Sequence, residues 1–243
     1  MKQHIELPSE KENSELTPKD KLIYLALKSF ENGETHDCFP SLAKISERCG
    51  ASEPTIRKSL KLLESEGYIK IEDINKRKKR YTFSPYKKFE CFSYDFLYNN
   101  DLTFTEKSYL AASQEFMLNK ESGKGEIDYS SYELSTKINM PPSTIRKCEN
   151  SLQSKNYMEI VYKAKDDLIR NNHKGTKYYL FAEYNKAVCE AIITHENRLN
   201  TVEERIDNLE KKYEDKCKEA ETYKQAYLGL ADKIQEENKI ILK

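Results

Sequence analysis

The sequence has no tryptophan, and its 243 residues include only seven glycines and seven prolines. No apolar run approaches the about 20 residues that a membrane-spanning helix needs. The N-terminus also lacks the apolar region of a secretory signal. We therefore expect a soluble, cytoplasmic protein.

The sequence also lacks the common catalytic and metal-binding patterns. Its six cysteines form no Cys-x-x-Cys pair and have no histidine at metal-ligand spacing. Its four histidines stand in no nucleophile or metal motif, and no glycine-rich loop could hold a phosphate. We predict reduced thiols, no metal, no cofactor and no enzymatic activity.

An excess of one charge is missing too, because 41 basic residues balance 41 acidic ones. A nucleic-acid partner therefore cannot be argued from bulk charge. Residues 185–243 hold 11 Lys/Arg against 13 Asp/Glu, so the rest of the chain is slightly basic, and its positive charge is clustered. Charged residues make up 34% and hydrophobic residues 37%, a balance that favours small domains with an extended helix over one large core.

Residues 39–71 predict a helix, a tight turn, a second helix and a strand. Their apolar residues recur at helical spacing and are Leu42, Ile45, Cys49, Ile56, Leu60 and Leu63. Gly50 permits the turn, because glycine takes a positive φ without penalty, and Gly67 ends the second helix. Residues 68–71 alternate as a strand, and residues 81–83 return as its partner. This order is that of a winged-helix domain, a helix-turn-helix followed by a β-hairpin.

The same pattern occurs a second time. Leu102-Thr103 repeats Leu16-Thr17 at an offset of 86 residues. Thr55-Ile56-Arg57-Lys58 recurs letter for letter as Thr144-Ile145-Arg146-Lys147, at an offset of 89 residues. Two helix starts in this copy have the spacing of a capping box, Thr103 with Glu106 and Ser130 with Glu133. Four identical residues in one register, inside matching apolar stripes, indicate an internal duplication.

The second copy is not exact. Glu149 replaces Leu60, and we expect Cys148 to take over the buried stripe. Its hairpin has a longer tip, which carries Asp166 and Asp167 among its basic residues. The two alternatives for this copy are that it contacts DNA weakly and that it serves as a dimer surface.

The first copy resembles the winged-helix DNA-binding domain of GntR-type repressors. The matching residues are Pro40, Ser41, Ile45, Gly50, Ser52, Thr55, Ile56, Arg57, Leu60, Leu63, Glu66, Gly67, Tyr68 and Ile69. The lead-in Cys38-Phe39-Pro40-Ser41 is similar to helix-turn-helix modules of phage and plasmid replication and regulatory proteins. The resemblance covers residues 16–84, and over residues 102–182 it rests mainly on the internal repeat.

The resemblance implies sequence-specific duplex binding by the helix at residues 52–66, with the hairpin on the DNA backbone. GntR-type regulators carry a metabolite-binding domain where this chain has a second winged helix. We therefore expect no small-molecule effector. Tandem winged helices are also similar in architecture to plasmid replication initiators.

DNA contact needs groups that pair with phosphates and groups that reach base edges. Hydroxyls and helix N-termini suit phosphates, and Arg or Lys can pair with guanine O6 and N7. The candidates in the first copy are Ser41, Ser52, Thr55, Arg57, Lys58 and Lys61, with the predicted hairpin tip Lys76, Arg77, Lys78, Lys79 and Arg80. Those in the second copy are Ser143, Thr144, Arg146, Lys147, Arg170, Lys174 and Lys177. The alternatives are an ordinary solvated helix face and a solubilising hairpin tip.

From about residue 185 onward the chain has no proline and one glycine, and apolar residues recur every seven positions. This heptad predicts a coiled coil of roughly 85–90 Å, at 1.5 Å per residue. The candidate dimerisation residues are Ile192, Leu199, Val202, Ile206, Leu209 and Tyr213. The alternatives to a dimer are a helix folded back on the DNA-binding modules and a helix ordered only by a partner.

We therefore predict a mainly α fold with small β-hairpin wings, of class α+β. Its predicted parts are a flexible N-terminus (1–15), a winged helix (16–84), an aromatic connector packed between modules (85–101), a second winged helix (102–183) and a coiled-coil helix (184–243). The predicted function is sequence-specific binding of double-stranded DNA, as a transcriptional regulator or as a replication initiator or organiser of a mobile element. The predicted partners are DNA, a second copy of the chain and a further protein. The alternative function is a coiled-coil scaffold whose winged helices bind protein.

Overall fold

The computed structural model of the protein describes residues 4–9, 15–75, 78–118, 124–162 and 175–241. The chain divides into two compact units, Met1–Ile192 and Ile193–Lys243. Helices and short strands alternate in the first unit, and the second consists of helix among the described residues. The architecture is mixed α/β, which is compatible with the predicted α+β class.

The described elements are nine α-helices and eight strands. The helices are α1 (Pro18–Lys28), α2 (Leu42–Cys49), α3 (Glu53–Ser65), α4 (Tyr94–Tyr98), α5 (Phe104–Ser113), α6 (Ser131–Ile138), α7 (Pro142–Ser154), α8 (Phe181–Tyr184) and α9 (Lys186–Ile241). The strands are β1 (Ile5–Pro8), β2 (Asp37–Cys38), β3 (Ile69–Asn75), β4 (Lys78–Phe83), β5 (Phe89–Phe92), β6 (Lys124–Ile127), β7 (Met158–Tyr162) and β8 (Gly175–Leu180). A 3₁₀ turn, Gln114–Phe116, follows α5.

One order of elements occurs twice in the first unit. Residues 18–83, the first repeat, run helix, strand, two helices and two strands, and residues 104–180, the second repeat, do the same. Each repeat forms a three-stranded antiparallel sheet, in the order β2-β4-β3 and β6-β8-β7. Equivalent strand pairs have equivalent registers, with Cys38 opposite Tyr81 and Ile127 opposite Lys177. The duplication in the sequence thus corresponds to a repeated order and pairing of elements.

The two repeats share a core, because α1 packs directly on α5. All side chains of α1 from Leu22 to Leu27 are fully buried, and α5 is buried from Glu106 to its end. A helix that is buried on every side belongs in the middle of a domain rather than on its surface. The division predicted between residues 16–84 and 102–183 therefore falls within one compact unit.

Part of the N-terminal segment is a strand rather than a flexible tail. β1 pairs antiparallel with β5, and Ile5 and Leu7 are buried. The prediction of a flexible segment over residues 1–15 is therefore wrong for Ile5–Pro8. This short alternating strand is difficult to predict because polar residues flank it and its partner lies about eighty residues later in the chain.

A buried asparagine, Asn185, forms hydrogen bonds with the aromatic connector. The side-chain oxygen of Asn185 accepts a hydrogen bond of 2.8 Å from the backbone N–H of Ser93. Its side-chain nitrogen donates to the carbonyl of Cys91 and to Oε1 of Gln114, each at 2.9 Å. Because a buried amide without partners is costly, these three bonds fix Asn185, the residue before α9, beside the end of β5 and the 3₁₀ turn.

Gly50 ends α2 in the left-handed conformation, with φ 77°, and its N–H donates to the carbonyl of Ser46. We expect Gly50→Ala to lower the free energy of unfolding by about 1–2 kcal/mol, because a side chain is disfavoured at this φ. Steric contact adds little, since the new Cβ would meet only the Cβ of Phe104, at 3.9 Å. Urea unfolding of both proteins measures this difference.

The matched control is Gly33→Ala, at a glycine without a positive φ, where an added Cβ meets no atom within 4 Å. We expect this control to change stability much less. Equal losses in the two variants would contradict the assignment of the effect to the left-handed backbone.

Candidate nucleic-acid interface

Helix α3 has one buried face and one exposed face. Ile56, Leu60 and Leu63 are buried, whereas Arg57 and Lys58 are exposed. The predicted apolar stripe of this helix is thereby confirmed. The exposed row continues with Lys61, one turn further along the helix. Helical geometry thus separates the residues that pack on α1 from a row of three cations.

A hydrogen bond across the core sets the orientation of α3. The hydroxyl of Ser59 donates to Oδ1 of Asp20, at 2.5 Å, and both residues are buried. The other oxygen of Asp20 accepts from the backbone N–H of Thr17, at 2.8 Å, as part of the capping box of α1. Rotation of α3 about its axis would break the Ser59 bond, so the exposed cations point in a defined direction.

Local contacts distinguish the candidate residues of α3 from one another. Nη2 of Arg57 lies 3.3 Å from Oε2 of Glu53, one turn earlier on the exposed face. The structure shows no ion pair for Lys58 or Lys61 within the described ranges. The hydroxyl of Ser52 is hydrogen-bonded to that of Thr55, at 2.8 Å. A phosphate or a base edge would therefore compete with Glu53 for Arg57 but would find both lysines accessible.

Ser41 is the N-cap of α2, and its oxygen accepts from the backbone N–H of Lys44, at 3.3 Å. The hydroxyl proton of Ser41 stays available to a phosphate oxygen. The side chain is exposed, at the N-terminal end of a helix that carries partial positive charge. This placement suits the phosphate contact that the sequence predicts for Ser41.

Residues 78–80 lie in β4, so the prediction that they belong to the hairpin tip is wrong. Their backbone pairs with β3, which extends the hairpin further than residues 81–83. Nε of Arg80 lies 3.0 Å from Oδ2 of Asp37, and Nζ of Lys79 lies 3.2 Å from Oδ1 of Asp73. Lys78 lies over the ring of Phe39, 4.7 Å from its centroid. Lys76 and Arg77 lie outside the described residues.

Four of the predicted residues line one groove, of about 720 Å³, between α2, α3 and the hairpin. They are Ser41, Arg57, Lys61 and Lys79. Three acids line the same groove, namely Glu53, Glu64 and Asp73. Lysine and arginine suit phosphates and guanine, whereas a carboxylate repels phosphate but accepts a hydrogen bond from cytosine N4. A surface of mixed charge can therefore be selective among DNA sequences.

Helix α7 repeats this arrangement in the second repeat. Ile145, Cys148 and Leu152 are buried, and the predicted residues Ser143, Arg146 and Lys147 are exposed, with Thr144 half-buried. The helix contains a single acidic residue, Glu149, and that residue is buried. Its exposed face therefore carries positive charge without a compensating acid from α7 itself.

Asn150 is an exposed residue of α7 that the sequence analysis missed. It occupies the position of Lys61 at the 89-residue offset, so the internal repeat itself could have identified it. An asparagine side chain can pair with adenine N6 and N7 through two hydrogen bonds. Asn150 therefore joins Arg146 and Lys147 as a side chain able to contact base edges.

Lys177 is not available to DNA, in contrast to its prediction as a contact residue. It is buried in the sheet of the second repeat, and its ammonium forms an ion pair with Oε1 of Glu149. A phosphate contact would have to extract a buried charge from its partner, which is costly. Arg170 and Lys174, the other predicted contacts of this hairpin, lie outside the described residues.

A cluster of buried and half-buried polar side chains surrounds Glu149. The hydroxyl of Tyr109 donates to Oε1 of Glu149, at 3.2 Å, and the hydroxyl of Ser131 donates to Oε2, at 2.9 Å. Tyr109 and Tyr179 share a hydrogen bond of 2.5 Å. Burial raises the pKa of both tyrosines far above its usual value, so both remain protonated and able to donate.

The first repeat fills the equivalent positions with apolar or aromatic side chains. The 86- and 89-residue offsets and the strand registers equate Ile23, Leu60, Tyr81 and Phe83 with Tyr109, Glu149, Lys177 and Tyr179. Two of these changes introduce opposite charges, at positions that the fold brings into contact. The sequence contains one signal of this ion pair, because an acid (Glu149) and a base (Lys177) both replace uncharged residues of the first repeat. Only the strand register shows that these two residues are in contact.

Five cysteines are free thiols, namely Cys38, Cys49, Cys91, Cys148 and Cys217. Burial raises the pKa of Cys38 and of Cys148 to about 12, so both stay protonated near neutral pH. Among the residues whose positions are given, no group of three His, Cys, Asp or Glu side chains could hold a metal ion. None of the described helices is long and apolar enough to cross a membrane.

The predicted dimerisation residues lie on α9. Val202, Ile206, Leu209 and Tyr213 are exposed along this helix. The side chains of Ile192 and Leu199 lie outside the described part of the structure. The apolar heptad of α9 is therefore uncovered in a single chain over residues 202–213.

A family model for a helix-turn-helix domain matches residues 14–69, which span α1, β2, α2 and α3 and reach the first residue of β3. No curated protein matches the chain. The family match supports a DNA-binding helix-turn-helix domain at these residues, and it supports DNA as a partner of the protein.

Proposed function

We propose that the protein binds double-stranded DNA sequence-specifically through two winged-helix modules, one in each repeat. The observation that carries this proposal is the face of α3 that exposes Arg57, Lys58 and Lys61. This helix lies within the helix-turn-helix match, and its opposite face packs into the core. A helix presented in this way can enter the major groove with its side chains at base edges.

The second repeat supports a second module. It has the same order of elements, the same strand order and an α7 whose exposed face carries Arg146, Lys147 and Asn150. In each module the hairpin that follows α3 or α7 acts as the wing against the DNA backbone. The first wing offers Lys78 over Phe39, while acids partly neutralise Lys79 and Arg80.

Two biological roles fit such a protein. One is a transcriptional regulator, and the other is a replication initiator or organiser of a mobile element that binds repeated sites. The resemblance of residues 38–41 to modules of phage and plasmid proteins supports the second role. Neither role needs an enzymatic activity, a cofactor or a small-molecule effector, and we propose none.

The protein acts as a homodimer joined through α9, and a further protein could bind the same helix. The exposed apolar residues at heptad positions support this assembly. A dimer doubles the number of DNA-binding units, so it gains affinity for sites that occur twice.

An interaction scaffold is the alternative function. Glu53, Glu64 and Asp73 in the groove beside α3 favour it, because carboxylates repel the phosphates of DNA but can pair with basic residues of a protein. In that case the modules would bind protein, and the function would lie in the coiled coil.

Selection from a pool of random duplexes tests the proposal. The purified full-length protein is mixed with the pool at 50 and 200 mM salt, and the bound DNA is sequenced. We expect one spaced or repeated motif to be enriched, with affinity falling steeply as salt rises, because phosphate contacts release counterions. Weak binding without any enriched motif would contradict the proposal and favour the scaffold.

A further inference from the structure

Helix α9 leaves a row of apolar side chains exposed beyond Val202. Val202, Ile206 and Leu209 have 49%, 48% and 65% of their surface exposed, and Tyr227 and Leu230 have 74% and 60%. Each of these residues occupies a core position of the seven-residue repeat. A row with this spacing is the surface that another helix covers in a coiled coil.

The charged residues beside this row complement a second copy of the same helix. The seven positions of a coiled-coil repeat are lettered a to g, and positions a and d form its core. In a parallel, in-register pair, each residue at position g faces the residue at position e of the partner that lies five residues further along the chain. Three such pairs along α9 join opposite charges, Arg198 with Glu203, Arg205 with Glu210, and Glu219 with Lys224. No pair of this kind along residues 191–238 joins like charges.

An antiparallel pair that aligned the most apolar segment, residues 196–212, with the same segment of its partner would lack this complementarity. Residues of the same flank would face one another, so basic residues would meet basic ones and acids would meet acids. Over residues 196–212 one flank carries Arg198, Arg205 and Lys212, and the other carries Glu196, Glu203 and Glu210. Like charges placed opposite each other suppress the wrong arrangement of an interface.

We propose that α9 pairs with α9 of a second copy in a parallel, in-register coiled coil. This inference rests on the homodimer of the proposed function and adds its orientation. Lys216 occupies a core position, but its long stem allows the ammonium to reach water. The parallel pair places the N-terminal ends of the two α9 helices side by side.

Disulfide cross-linking of the full-length chain tests the orientation. Cysteine is introduced singly at two core positions, as Val202→Cys and as Leu230→Cys, after Cys189 and Cys217 have been replaced by serine. In a parallel, in-register coil each new cysteine faces its own copy, so both variants form a covalent dimer on oxidation. An antiparallel coil can place only one of these positions against itself, because the two positions are 28 residues apart.

The matched controls are Glu204→Cys and Asp232→Cys, in the same cysteine-depleted protein. Both positions lie on the outward side of the heptad, two residues after the tested ones, and should give little cross-linking. Light scattering of each reduced protein reports the assembly independently. We expect twice the chain mass in solution, and a doubled mass on a non-reducing gel for the two core variants only.

Two results would overturn the inference, and they are distinguishable. A dimer by light scattering in which only one core variant or neither cross-links would exclude the parallel, in-register pair but leave the homodimer intact. A single-chain mass in solution would exclude the homodimer itself, and with it any orientation.

Discussion

Replacing Arg57 and Lys58 together by alanine should lower the affinity for the selected duplex by tens to hundreds of fold. A good base contact contributes about 1–3 kcal/mol, and each 1.4 kcal/mol changes the dissociation constant tenfold. Both side chains are exposed, so their removal leaves the core of the first repeat unchanged. The loss of Arg57 also leaves Glu53 without its ion-pair partner, and its charge then repels phosphate. Titration of labelled duplex measures the effect.

The charge-matched control replaces Lys211 and Lys218 by alanine. These two lysines are exposed on the outward side of the α9 heptad, and their loss removes the same number of positive charges. We expect this control to bind the duplex nearly as tightly as the unchanged protein. If both double variants lost affinity equally, the binding would follow net charge, and α3 would have no special role.

The same experiment measures the contribution of the second repeat. Arg146→Ala with Lys147→Ala makes the equivalent change on α7, where both residues are exposed. We expect a loss of similar size if the motif contains two half-sites. A variant that binds as tightly as the unchanged protein would limit DNA contact to the first repeat and leave α7 as a protein surface.

The largest loss of stability should follow from Glu149→Leu. The substitution leaves Lys177 buried without its counter-charge and removes the acceptor of the Tyr109 and Ser131 hydroxyls. Breaking a buried ion pair by removing one partner costs about 3–5 kcal/mol. Urea unfolding followed by circular dichroism should show this decrease in the free energy of unfolding. Glu159→Leu, on the exposed side of β7, should change it by less than about 0.5 kcal/mol.

The first repeat suggests how to reverse this loss. Glu149→Leu combined with Lys177→Tyr installs the residues that the first repeat carries at Leu60 and Tyr81. We expect the double variant to recover most of the stability, since apolar replacements of a buried ion pair are often neutral or stabilising. If the double variant were as unstable as Glu149→Leu, the cost would arise from packing or from the lost hydroxyl bonds rather than from the unpaired charge.

The local structure of this protein is encoded in short stretches of sequence. The capping boxes at Thr103 and Ser130 are reciprocal hydrogen bonds between residues three positions apart. Gly50 and Asn156 adopt the positive φ that their side chains tolerate. The apolar stripes of α2 and α3 follow from helical spacing alone. These features can be predicted because the groups that cause them are neighbours in the chain.

The contacts between distant residues were decided by tertiary structure. The partner of Ile5–Pro8 is β5, and Asn185 meets Ser93, so no local pattern identifies either contact. A basic residue in a hairpin can be exposed or buried, and the two copies differ in this respect, because Arg80 is exposed whereas Lys177 is buried.

The reason is the geometry of strand pairing. Successive side chains of a strand point to opposite faces, so a shift of one residue in register would move Lys177 from the core to the surface. By itself, the sequence determined the helices of the two repeats, the capping boxes at Thr103 and Ser130 and the repeat that relates the two copies, but it did not predict the short helices α4 and α8. The register of β8 against β6 and β7 decided that one lysine joins Glu149 inside the protein and is unavailable to DNA.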